Sequence, residues 1–319
     1  MKRRLLGRDE VGCVGLGTAP LSLRPDRPSD DQGVAVIHAS LDAGVTLLDT
    51  ADVYTPPGTG RGHSERLIAR ALRYRGLSAG DGGTGRGDGV VVATKGGKFW
   101  DADGEVRIDA RPASLRRACE ASLRALSVET IHLYQLHEVD PVVPIEDSVG
   151  ALVELQQAGK IAQIGLSNVT LDELNRALRI APIVSVQNRY SPIVTESDEV
   201  LARCTERGIA FLPWGPLTGF RGDAEDAPGA LRFTEAAARR GVSVQRVVLA
   251  WELARAPVMI PIPGATRTRT AVDSAAAAEL ELSADEVAWL SDADGDTPSG
   301  RPLTRAPEEV RQSLDSPPR

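Results

Sequence analysis

The sequence predicts an α/β fold, a closed (β/α)8 TIM barrel with an N-terminal β-hairpin and extra C-terminal helices. Three observations carry this reading. Eight short apolar segments alternate with stretches of helical periodicity along the 319 residues. The segments run into polar or glycine-bearing sequence, as barrel strands do where the following loops build a site. The glycine order of an open dinucleotide-binding sheet is missing. Gly12, Gly15 and Gly17 do not have G-x-G-x-x-G spacing, and prolines rather than an immediate helix follow them.

The elements follow in order. Residues 3–6, a turn at Gly7-Arg8-Asp9 and residues 11–14 read as a small opening hairpin. Residues 14–18 form a first strand ending at Gly17-Thr18. Residues 30–43 alternate at helical spacing and stop at Gly44. A short apolar strand from 45 ends at Asp49. Residues 64–74 form a second helix with Leu67, Ile68, Ala71 and Leu72 on one face. Residues 76–89 are almost pure Gly, Asp, Ser and Thr and read as a mobile loop. Next come a strand from 90 to Lys95, a helix over 113–126 and a strand from 131 to His137.

A helix over 145–158 starts behind Pro144 and stops at Gly159. A strand over 161–166 enters Ser167-Asn168, and Thr170-Leu171-Asp172-Glu173 is a capping box opening a helix to about 180. A strand over 183–186 runs into Gln187, a helix spans 198–207, and a strand over 209–212 leads to Pro213-Trp214. After a loop at 215–229, helices cover 231–240 and 243–256. Residues 258–260 are the eighth strand, entering Pro261-Ile262-Pro263-Gly264. Helices over 269–278 and from Ser283 close the chain, which reads as one domain over 1–319 with a loosely held tail from 292.

Composition narrows the function. The net charge of −7, with a pI near 5.3, argues against a nucleic-acid surface. No apolar run approaches the roughly 18 residues needed to span a bilayer. The apolar part of the N-terminus is too short for a signal peptide. Cys13, Cys119 and Cys204 are scattered without metal-ligand spacing. These features predict a cytoplasmic protein with reduced thiols, and they carry no signal for oligomeric state. A metal-dependent barrel is disfavoured, because the four histidines do not gather at several strand ends.

The strand ends carry the chemistry. Asp49, Lys95 and His137 close three successive strands, and Tyr54 follows Asp49 after a turn. A phenol is a poor acid near neutrality, with an ordinary pKa of about 10. A neighbouring cation favours its anion and so makes it a usable proton donor. The amides of Asn168 and Gln187 can hold a carboxamide, and Trp214 can stack on a flat ring.

The chain resembles the aldo-keto reductase superfamily from the opening hairpin to about Trp289. Leu48-Asp49-Thr50-Ala51-Asp52-Val53-Tyr54, Gly62-His63-Ser64-Glu65, Ala93-Thr94-Lys95 and Leu136-His137 carry the likeness. Ile164-Gly165-Leu166-Ser167-Asn168, Val186-Gln187-Asn188, Trp214-Gly215-Pro216-Leu217 and Ile262-Pro263-Gly264-Ala265 continue it. Residues 164–190 look closest to bacterial pyridoxal-reductase-like members.

The resemblance implies NAD(P)H-dependent reduction of a small carbonyl substrate, an aldehyde or ketone. Tyr54 would be the general acid, Lys95 the cation that lowers its pKa, Asp49 the anchor of Lys95, and His137 the orienter of the carbonyl. The cofactor would meet Gly17, Thr18, Asp49, Ser167, Asn168, Gln187 and Trp214. Its diphosphate would lie on Gly215, Pro216, Leu217 and Gly219, and its adenosine end near Gly264, Thr266, Arg267, Thr270 and Asp273.

Some positions depart from the family pattern. Gly215 stands where serine is common, Thr270 where some relatives have arginine, and Asp273-Ser274 replaces a Glu-Asn pair. Arg267 or Arg269 can grip a 2′-phosphate bidentately, which favours NADPH (NADP+) over NADH. The alternative is a nonenzymatic NADP-binding regulatory subunit on the same fold.

Overall fold

The structure is a computed structural model and describes residues 1–24, 26–56, 58–79, 89–220 and 229–292. Most of the loop expected at 76–89, the middle of that at 215–229 and nearly all of the tail lie outside those residues.

The hairpin β1 (Arg3–Leu6) and β2 (Asp9–Gly12) precedes seven parallel strands. In chain order these are β3 (Leu16–Gly17), β4 (Leu47–Asp49), β5 (Val91–Gly96), β8 (Ile131–Leu136), β9 (Ile161–Ser167), β10 (Ser185–Gln187) and β11 (Ala210–Phe211). A side hairpin, β6 (Lys98–Trp100) with β7 (Val106–Ile108), interrupts the alternation. The helices are α1 (Asp30–Asp42), α2 (His63–Arg73), α3 (Pro112–Leu126), α4 (Ile145–Gln157), α5 (Leu171–Ala177), α6 (Asp198–Arg207), α7 (Ala230–Arg240), α8 (Val244–Arg255), α9 (Thr268–Ala275) and α10 (Ala284–Ser291).

The expected eighth strand closes the barrel. The Ile260 and Ile262 amides donate to the Phe211 and Pro213 carbonyls, at 2.8 and 3.2 Å. On its other edge, the Pro261 and Pro263 carbonyls accept from Gly15 and Gly17, at 2.9 and 3.1 Å. Both prolines lack an N–H, so half of the ladder toward β3 cannot form. The segment therefore pairs through single bridges, Phe211 with Met259 and Gly17 with Gly264.

Strand alternation sorts the residues. Leu47, Val91, Ala93, Leu133, Ala210, Leu212, Ile260 and Ile262 pack inside the barrel with Leu6 and Val11 of the hairpin. Leu48, Val92, Tyr134, Ile164, Val186 and Phe211 point outward and pack in the larger core that includes the helices. Continuing the inward parity by two residues leads from Leu47 to Asp49, from Ala93 to Lys95, and from Leu133 through Gln135 to His137. The pattern that fills the barrel thus also delivers its polar residues to one end.

Local signals set the helix starts. Ser29 with Gln32, Thr170 with Glu173 and Ser283 with Glu286 form reciprocal capping boxes. Asp101 stabilises the turn of the side hairpin by accepting from the Asp103 and Glu105 amides, at 3.0 and 2.9 Å.

Candidate active site

Lys95 is the centre of the site. It is fully buried, and its Nζ donates to both oxygens of Asp49 and to the Thr50 carbonyl, each at 2.8 Å. An unpaired ammonium could not be held there. Burial alone would pull its pKa down, but Asp49 and Tyr54 outweigh burial and leave it raised. Gln187 Nε2 adds a 2.7 Å hydrogen bond to Asp49 Oδ1. The Lys95 ammonium lies 5.1 Å from the centroid of the Tyr54 ring.

The phenol departs from the sequence expectation in one respect. Lys95 does pull its pKa down, but burial pushes harder and Asp49 adds to it, so the net displacement is upward. Tyr54 is therefore a neutral phenol at neutral pH. The His137 ring meets the Tyr54 ring edge-on, with centroids 5.9 Å apart and planes at 83°. Burial, aided by Lys95 and Lys98, holds His137 well below the ordinary histidine range, so it is neutral too. Its Nδ1 is buried without a partner.

Asp49, Tyr54 and His137 face a cleft of about 570 Å³, while Lys95 lies buried behind its lining. Of the residues singled out from sequence, Gly17, Asp49, Tyr54, His137, Ser167, Asn168, Gln187, Trp214, Gly215, Pro216, Gly219 and Gly264 line it. Asn168 adopts a left-handed backbone with φ 55°. Its Nδ2 donates to the His137 carbonyl at 3.0 Å, and its Oδ1 accepts from Trp214 Nε1 at 2.9 Å. Those bonds fix the edge of the Trp214 ring, which is 37% exposed at the cleft.

Gly215 has φ +63°, a conformation that side chains disfavour. A Cβ there would sit 3.0 Å from Thr218 Oγ1. The glycine that replaces the family's common serine is thus suited to this turn.

A second cavity of about 640 Å³ shares Pro20 and Gly264 with the first. Leu217, Thr266, Arg267, Thr270 and Asp273 line it, together with Arg24 and Arg269. Arg267 stands at the N-cap position of α9 and makes no side-chain capping bond there.

Two residues sit differently from the expectation. Thr18 is fully buried and does not line either cavity. Its hydroxyl donates to the Asp49 carbonyl at 2.8 Å and lies 2.7 Å from Ser64 Oγ, so it braces the acid from behind. Asp273 lines the second cavity, but its carboxylate already accepts from Arg246 Nε at 3.1 Å and from the Ser243 hydroxyl. Its first task is to hold Arg246, a residue the sequence reading passed over.

Lys98 and Arg189 also line the cleft and were missed. Lys98 pairs with Glu138, while Arg189 lies over Trp214 at 5.8 Å. The signal for Lys98 was the alternation of Lys98-Phe99-Trp100 across from Val106-Arg107-Ile108, with Asp103-Gly104 at the turn.

Residues 13–294 match the model of the Aldo/keto reductase family. The chain belongs to that family. It is 33% identical over 269 residues to an uncharacterized oxidoreductase of Schizosaccharomyces pombe, covering 84% of this chain and 81% of that protein. Among solved structures, it is similar to a glycerol dehydrogenase from Gluconobacter oxydans. The TM-score is 0.77 at 28% identity, covering 94% of this chain and 99% of that one. An aldo/keto reductase from Klebsiella pneumoniae in complex with NADP and acetate superposes with TM-score 0.71 at 28% identity, covering 88% and 90%. As an aldo-keto reductase, the protein is an NAD(P)H-dependent oxidoreductase on a (β/α)8 barrel. Among its described residues, no helix is long and apolar enough to cross a membrane.

Proposed function

We propose that this aldo-keto reductase reduces an aldehyde or ketone to the alcohol with NADPH, and that Tyr54 is the general acid. The observation that carries the reading is the buried Asp49–Lys95 pair beside a neutral phenol and a neutral imidazole at one cleft.

The two adjoining cavities fit a dinucleotide. Trp214 would stack on the nicotinamide, and Ser167, Asn168 and the oxygen end of Gln187 would hold its carboxamide. The backbone at Gly215, Pro216, Leu217 and Gly219 would carry the diphosphate. Arg267, with Arg269 and Thr270, would take the 2′-phosphate at the start of α9, with Thr266 near the adenosine. The Klebsiella relative holds NADP in its crystal structure, which supports the same assignment here. When bound, the reduced nicotinamide supplies the hydride.

The side chains supply position and a proton. His137, neutral, offers one ring N–H to the carbonyl oxygen without competing as an acid. The Tyr54 hydroxyl gives its proton to that oxygen as the carbon is reduced. Negative charge then grows on the phenol oxygen, and Lys95 stabilises it from a fixed position. Asp49 and the Thr50 carbonyl keep Lys95 from following the charge away.

Tyr54→Phe removes only the hydroxyl. Reduction should fall by at least the roughly 10²–10⁴-fold of a positioned general acid, with folding and NADPH binding intact. Near-normal turnover, measured where the hydride step limits the rate, would refute the assignment. For the cofactor, Arg267→Ala should weaken NADPH by about 1–3 kcal/mol and leave NADH nearly unchanged. Equal losses for both would place the arginine elsewhere.

A further inference from the structure

Behind the site, on the flank of the barrel, lies a second set of buried acids. Asp52 is fully buried in the turn between Asp49 and Tyr54. Its amide donates to the Lys95 carbonyl at 3.4 Å, and its own carbonyl accepts from Gly62 at 2.8 Å. Its Oδ2 accepts from Arg61 Nη1 at 3.1 Å, while Oδ1 is buried without a partner. Glu65 is beside it on α2, fully buried, with Oε1 on the Thr94 hydroxyl at 2.7 Å and Oε2 unpartnered. The Tyr134 hydroxyl, on the outward face of β8, is a third buried orphan.

Asp52 and Glu65 form the floor of a cavity of about 370 Å³ rimmed by Arg61, Arg66 and Arg124. Arg61 is 41% exposed, so the pair connects a buried carboxyl to solvent. This opening is separate from the cleft: none of its lining residues is shared with it.

We propose that Asp52 is a titrating positioning residue of the reductase site, a buried carboxyl reached through the Arg61 cavity, whose ionisation weakens Tyr54 as a proton donor. The proposal rests on the assignment of Tyr54 as the acid.

The groups around Asp52 set its behaviour. Burial drives its pKa up, Arg61 opposes this, Glu65 reinforces it, and the Val53 amide and Lys95 oppose it, leaving it at about 8. It is thus mostly protonated at neutral pH and ionises just above it. Once ionised, it raises the pKa of Tyr54. A carboxylate there disfavours the negative charge that grows on the phenol oxygen as its proton leaves, so proton donation slows. Asp52 needs no contact with the substrate to do this, since its turn also carries Tyr54 and is bonded to Lys95 through the backbone.

The test is the pH profile of kcat/KM for NADPH reduction of 4-nitrobenzaldehyde, which does not itself titrate in this range, from about pH 6 to about pH 10. The wild-type protein should show a partial decline centred near pH 8, of about three- to tenfold, to a lower plateau. Asp52→Asn should lack that step. Arg61→Gln, a change at the surface, should move the step to higher pH by removing the cation that favours ionisation, and Arg61→Lys should move it back.

A profile in Asp52→Asn that keeps the wild-type shape and differs only by a constant factor would overturn the proposal. If Asp52→Asn does not fold, an unmoved step in Arg61→Gln overturns it as well. Tyr54→Phe is measured alongside. If that variant keeps its turnover, the assignment of the acid has failed, whatever the shape of the profiles.

Discussion

Both ends of the barrel bury an acid against a basic side chain, and the acid at one end, Asp49, lines the cleft. At the open end, Asp49 holds Lys95 at 2.8 Å with Gln187 as a third member. At the other end, Asp9 Oδ2 lies 2.6 Å from His132 Nε2 and accepts from Gln163 Nε2 at 2.8 Å. The Arg8 amide donates to Gln163 Oε1 at 3.1 Å, so the opening hairpin is stitched across the barrel floor.

The difference lies in what remains unpaired. None of the side-chain polar atoms of Asp9, His132 or Gln163 is a buried orphan, whereas His137 Nδ1 and Asp52 Oδ1 are. A closed network fastens two parts of a fold together. A network with unused capacity beside a cleft can bind and transfer protons.

The largest effect should follow from breaking the open end. Lys95→Met leaves Asp49 without its cation and Tyr54 without the charge that favours its anion. Reduction should drop by about 10²–10⁴-fold in single-turnover assays with NADPH. Asp49→Asn acts through the lysine, so the double variant should be no worse than Lys95→Met alone, within measurement. Full additivity of the two losses would show that Asp49 has a separate role.

The closed end should respond in the opposite currency, stability without activity. Asp9→Asn keeps the shape but takes away one of the two carboxyl oxygens, so the contacts that His132 and Gln163 both make to Oδ2 cannot all be kept. It should cost about 2–4 kcal/mol in denaturant unfolding, the scale of a broken buried polar network. The kcat of the folded fraction should be unchanged. A large fall in kcat with no loss of stability would abolish the contrast between the two ends.

Much of this was legible because one pattern serves both packing and chemistry. Period-two alternation placed Leu47, Asp49, Ala93, Lys95 and His137 on one side of their strands, so the barrel and these polar strand ends could be read together, with Tyr54 following Asp49 past a turn. Sequence could not say that Thr18 turns away from the cleft, because its partners Asp49 and Ser64 are 31 and 46 residues on. The same holds for the Asp9–His132–Gln163 network, whose members are 123 and 154 residues from Asp9. The direction of the Tyr54 shift was hidden too. A sequence names the cation that lowers the pKa, while the burial that raises it belongs to the assembled barrel end.

Another buried acid sharpens the comparison, because neither of its oxygens has a hydrogen-bond partner. Glu252 on α8 is fully buried, and both of its oxygens lack a hydrogen bond. Burial pushes its pKa well above the ordinary carboxylate range. The sign follows from linkage. The folded state favours the protonated form, so Glu252 carries no ionisation penalty below its unfolded pKa. As pH rises above that value, the unfolded chain releases the proton first and gains stability relative to the fold. This continues until the folded pKa is passed. Glu252→Gln removes the titration. At acid pH the variant should be equal to the wild type or slightly weaker, since the amide brings N–H groups that need partners. From about pH 5 upward its advantage should grow by at most about 1.4 kcal/mol per pH unit, read as the difference between unfolding curves. Reductase activity should stay the same, as Glu252 lines neither of the two adjoining cavities. A difference that stays flat with pH would mean that Glu252 is ionised in the fold and has found a partner, which would make it a third member of the paired class.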